Sequence, residues 1–126
     1  MTDSTIEKAQ KLIGHKYDED DFNCYTLVQH FYPQLLDAKL VHKSLSKDLS
    51  QQKRELERLQ GMYEYIKEPE IGCLVLRGET HIGIMVTKYM ILHTCKDFNT
   101  IVEPLSSFKI GYNDKQIKFI RIRESE

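Results

Sequence analysis

The spacing of apolar residues changes along the chain and divides it into three parts. Between Ser4 and about Tyr32, Ile6, Ala9, Leu12 and Ile13 recur at helical spacing. A first helix is expected there, capped by Asp3 or Ser4, with Glu7 placed for a capping box and Gly14 closing it. His15 to Asp21 is too polar for a core and reads as a loop. A second helix is expected from near Asn23 to Phe31. Its apolar face is Tyr25, Val28, Phe31 and Tyr32, with Leu27 beside it, and Pro33 marks its end.

From Ser44 to Ile66, Leu45, Leu49, Leu56, Leu59, Tyr63 and Ile66 keep a helical period. Lys53, Arg54, Glu55, Glu57 and Arg58 form a solvated outer face. After Gly72 the period becomes two. Cys73–Arg77, Thr80–Val86, Tyr89–Cys95, Thr100–Val102 and Gln116–Arg123 read as strands, with turns at Gly78–Glu79, Thr87–Lys88 and Gly111–Asp114. Helices first and an antiparallel sheet afterwards define an α+β class, with the N-terminal helices packed on the sheet.

The length of 126 residues suits one hydrophobic core, so a single domain over 1–126 is expected, with a helical insertion at about 44–66. The net charge of −1 lacks the basic excess of a nucleic-acid binder. No apolar run is long enough to span a bilayer, and the first residues have no apolar signal core. The chain is therefore expected to be made in the cytoplasm without an export signal. Cys24, Cys73 and Cys95 are odd in number, widely spaced and free of any C-x-x-C pair. That is no disulfide framework, and no metal site is expected from them together with His81 and His93. His15 with Asp18 to Asp21 reads as a solvated acidic loop, and His30 and His42 have no matched partners.

A free thiol directs attention to the histidines. Cys24 falls at the expected start of the second helix, where free N–H groups and the helix dipole favour a thiolate. Asn23 or Asp21 can cap that helix. His81 opens the strand His81–Val86, in which Ile82, Ile84 and Val86 should face the core. His81, Gly83 and Met85 share the other face, and Gly83 leaves room for a bulky group to approach. If the following turn is centred near Lys88, His93 lies on the same face as His81, one diagonal step away. A thiol, a base and a group that orients the base make a nucleophilic triad.

Five pieces of sequence in this order resemble the NlpC/p60 family, papain-like cysteine endopeptidases of bacterial cell walls. They are Gly14-His15-Lys16-Tyr17, Asn23-Cys24-Tyr25-Thr26-Leu27-Val28, Gly72-Cys73-Leu74, His81-Ile82-Gly83-Ile84-Met85 and Leu92-His93-Thr94. The resemblance implies a papain-like fold with Cys24 as nucleophile, His81 as general base and His93 as orienting residue. It also implies a substrate or oxyanion role for Tyr17, with a backbone N–H near Cys24 as a second donor. Tyr25 and Thr26 stand where the family carries small residues and would reshape the substrate groove, while Cys73 replaces a family aspartate. The implied substrate is an amide bond of peptidoglycan stem peptides, cut without a cofactor. Delivery by a phage tail or a secretion apparatus would bring a leaderless domain to the wall, as a virion component in the first case. Two other readings stay open: a non-catalytic structural tail or assembly subunit, and a papain-like acyltransferase or deamidase.

Overall fold

The computed structural model describes residues 2–32, 63–78 and 81–122. Helix α1 spans Thr2–Leu12 and helix α2 spans Cys24–Phe31. Six strands follow: β1 Tyr63–Ile66, β2 Leu74–Arg77, β3 His81–Met85, β4 Met90–Cys95, β5 Asn99–Pro104 and β6 Ile117–Ile122. A short helix α3, Leu105–Phe108, and a single 3-10 turn, Asp114–Gln116, lie between β5 and β6. The α+β class expected from the sequence is present, as one antiparallel sheet with strand order β1-β6-β2-β3-β4-β5.

Alternation within the strands produces two cores, one on each face of the sheet. Leu74 and Leu76 of β2, Ile82 and Ile84 of β3, Leu92 of β4 and Ile120 and Ile122 of β6 point to one face. There they meet Ala9 of α1 and Cys24, Leu27, Val28 and Phe31 of α2. Val75, Met85, Ile91 and Ile117 point to the opposite face and are covered by Leu105 and Phe108 of α3. Fully burying a side chain of this size contributes about 1.5–3 kcal/mol, so both layers hold the sheet. The α3 cover was not expected from the sequence. It closes the face on which Gly83 was expected to leave room, and the space above Gly83 is filled by Ile91.

The helix boundaries refine the expectations. α1 begins at Thr2, so Asp3 and Ser4 lie within its first turn and do not precede it. Only Ala9 and Leu12 of its expected apolar stripe pack inward, and Ile6 and Ile13 are exposed. Gly14 closes the helix in the left-handed region at φ 86°, which a glycine adopts without a steric penalty. Its N–H donates to Thr100 O at 2.8 Å, tying the end of α1 to β5.

The helix expected over 44–66 is corrected at its end. Tyr63 to Ile66 form β1, paired antiparallel with β6 from Tyr63↔Ile122 to Ile66↔Phe119. A ladder offered by β6 overrides a local helical spacing, because each added strand residue gains backbone partners from across the sheet. The remainder of that stretch, 44–62, lies outside the described residues. Among the described residues, no helix is long and apolar enough to cross a membrane.

Candidate active site

β3 and β4 form a hairpin whose ladder pairs Ile84↔Leu92 and Met85↔Ile91, symmetric about Lys88. Extending that register sets His93 opposite Gly83 and puts His81 one diagonal step away, on the same face. The side chains meet as the spacing suggested: His81 Nε2 lies 2.9 Å from His93 Nδ1, with the rings edge to face at 5.1 Å. On the far side, β4 pairs with β5 through His93↔Ile101 and Ile91↔Glu103. Glu103 is therefore the next diagonal neighbour, and its Oε1 lies 2.9 Å from His93 Nε2. His81, His93 and Glu103 thus step across three adjacent strands on one face.

This row sits under α3. The Phe108 ring is fully buried, 5.5 Å from the His81 ring and 4.9 Å from that of His93. Arg77, opposite His81 in the β2–β3 ladder, stacks over Phe108 at 4.5 Å and over Tyr112 at 4.8 Å. Its Nη1 also donates to Phe108 O at 2.9 Å. Cation–π stacking and this hydrogen bond hold the cover in place. Burial pulls the His93 pKa below its ordinary value, outweighing the opposite pull of Glu103, and the Arg77 charge adds to the lowering.

Cys24 is the first residue of α2. Asn23 caps the helix, its side chain accepting from Tyr25 N at 3.0 Å and Thr26 N at 3.1 Å. Thr26 Oγ1 accepts from Asn23 N at 2.8 Å, completing a capping box. Thr26 fixes the helix start. α2 packs across β3 and β4, and the N–H of Ile82 points at the Cys24 thiol. Ile82 follows His81 directly, so the thiol stands at the backbone beside the candidate base.

The helix start does not make Cys24 acidic, contrary to the expectation. Burial pushes its thiol up to about 11, against the opposing pull of the N–H groups of Ile82, Cys24 and Tyr25. A thiolate needs more solvation than these amides return. Cys73 is likewise pushed up to about 11 by burial, in the outer core.

Tyr25 is half-buried against the inner core, and its hydroxyl is raised to about 12 by burial and by the neighbouring Cys24. Tyr17 is held by its N–H, which donates to Asn99 Oδ1 at 3.0 Å. Asn99 itself takes a left-handed φ of 58°. The Tyr17 pKa is raised, chiefly by burial, and it senses the charges of Glu19, Cys24, Cys95 and Asp18. Both tyrosines therefore belong to the surroundings of the thiol.

The acidic loop is used internally. Asp18 and Phe22 bridge each other through N–H···O bonds of 2.8 and 2.9 Å, and Asp18 Oδ1 accepts from the amides of Asp20 and Asp21. Among the described residues, no group of His, Cys, Asp or Glu is arranged to hold a metal ion. Sequence reasoning missed Glu103, Phe108 and Arg77. The one available signal was the alternation Ile101-Val102-Glu103, which would have placed Glu103 on the face of Ile101 once β5 was registered on β4.

No protein-family model and no curated protein matches the chain, so the functional reading rests on this geometry.

Proposed function

We propose that the protein is a cysteine hydrolase of the papain-like NlpC/p60 type, cutting an amide bond in peptidoglycan stem peptides. The observation that carries this reading is the His81–His93 pair, joined at 2.9 Å, with the Cys24 thiol at the N–H of Ile82, the residue next to His81. In the proposed reaction His81 takes the Cys24 proton as the sulfur attacks the carbonyl carbon, so the thiolate exists only as it reacts. The tetrahedral oxyanion collapses to a thioester as the protonated His81 passes its proton to the leaving amine. Water, deprotonated by His81, then hydrolyses the thioester and restores the thiol. A backbone N–H at the start of α2 near Cys24 would serve as one oxyanion donor, and the Tyr17 hydroxyl as another. The reaction as written uses no cofactor. Delivery to the wall by a phage tail or a secretion apparatus belongs to the same proposal.

The test is a digest of defined muropeptides by the chain and by Cys24→Ala, with products read by mass spectrometry. Fragments that disappear in the variant support the reading and name the bond. A second reading, a non-catalytic structural subunit on the same fold, is favoured by one observation: Cys24 is buried and its thiol is held well above neutrality. Identical, uncleaved muropeptides with both proteins would favour it.

A further inference from the structure

The row of polar groups does more than hold a ring in place. A carboxylate accepts hydrogen bonds and has none to give at neutral pH. Glu103 Oε1 at 2.9 Å therefore requires that His93 carry its proton on Nε2. A neutral imidazole has one N–H and one lone pair, so Nδ1 of His93 is the acceptor. That lone pair faces His81 Nε2 at 2.9 Å, and the contact is a hydrogen bond only if His81 donates from Nε2. The proton of neutral His81 is then fixed on Nε2, and its lone pair is on Nδ1.

We infer that Glu103 is a positioning residue that sets the tautomers of both histidines in sequence, making Nδ1 of His81 the nitrogen that accepts the thiol proton. The inference rests on the hydrolase reading only for the use made of that nitrogen. The tautomers themselves follow from the hydrogen bonds of two neutral rings. The surroundings agree. Phe108 lies against both rings and His93 is buried beneath it, while Glu103 remains part-exposed at the outer end of the row, its side chain 27% accessible against 4% for His93. A carboxylate keeps its charge more cheaply at such a border than in the interior. One anion at the rim thereby dictates a proton position two residues along the row.

The test is 15N NMR of the full chain at neutral pH, with the histidine nitrogens labelled, for the native protein, Glu103→Ala and Glu103→Gln. The native spectrum should show Nε2 protonated and Nδ1 bare in both His81 and His93. Glu103→Ala should turn both into tautomer mixtures, whereas Glu103→Gln, which still presents an oxygen acceptor, should restore the native pattern. A merely structural glutamate would leave ring tautomers unmoved. If Glu103→Ala and Glu103→Gln both keep the native pattern in folded protein, or if native His81 carries its proton on Nδ1, the inference is overturned. Muropeptide turnover is measured on the same samples. A loss of roughly ten- to a hundredfold in Glu103→Ala, as for carboxylates that orient metal-bound histidines, with rescue in Glu103→Gln, supports the inference. Native tautomers as stated with no turnover even in the native chain would uphold it and reject the hydrolase reading instead.

Discussion

The side chain of Ile91 occupies the place where a Cβ on Gly83 would stand: that Cβ would lie 2.7 Å from Ile91 Cδ1 and 3.0 Å from the Leu92 carbonyl oxygen. The approach lets β4 lie close to β3 at the step from which His93 reaches His81. Gly83→Ala is expected to destabilise the fold by about 1–3 kcal/mol, the usual range for overpacking. Adding Ile91→Val should recover part of the loss, because one flexible methyl is the closest obstacle. Denaturant melts of the two single variants and the double variant check this, and strict additivity would show that the two side chains do not compete.

Phe108→Ala should cost about 3–5 kcal/mol by opening a cavity in the outer core. It should also admit water to the His81–His93 pair, so muropeptide turnover should fall further than Leu105→Ala lowers it. Leu105 shares that core but has no ring contact with either histidine among those described. Melts and turnover of both variants, compared side by side, test this.

Asn23→Ala should cost about 1 kcal/mol through loss of the cap, and it sets free two amides in the first turn beside Cys24. Asn23→Asp, which keeps the acceptor, should cost little. Thermal melts decide between a capping role and mere placement in a loop.

The thiols make the fold sensitive to alkali. Burial lifts both Cys24 and Cys73 from an ordinary 9.0 to about 11, so the folded chain holds these protons more tightly than the unfolded chain. Their contribution is fully present below pH 9 and is lost as pH rises towards 11. At pH 7 only on the order of one Cys24 thiol in ten thousand is ionised at equilibrium. In a Cys95→Ser background, alkylation of Cys24 by iodoacetamide, mapped by mass spectrometry, should rise steeply across pH 9 to 11. A plateau reached below pH 8 would show an activated thiolate and contradict the burial argument.

Much of the fold was legible because alternation is a local signal. β2, β3 and β4 and both N-terminal helices lie close to where the spacing put them, and the symmetry about Lys88 already aligned His81 with His93. What escaped depended on distant partners. Glu103 joins the row only through the register of β5 on β4, which no short pattern encodes. α3 is one turn long, too short to show a period. Tyr63 to Ile66 continued a helical spacing until β6 claimed them. The character of Cys24 was misjudged for a related reason. The amides at a helix start are visible in the sequence, but the depth of burial that overrules them is not.

β5 ends the strand order on its side of the sheet, yet it is not an open margin. At Thr100 the N–H donates to His15 O and the carbonyl accepts from Gly14 N, while the Thr100 hydroxyl adds a third bond to His15 O. The turn that ends α1 thus occupies the outward backbone groups of Thr100, near the start of β5. A stray chain meeting this border finds part of its template already taken, which counters the edge-to-edge aggregation that unprotected sheets invite.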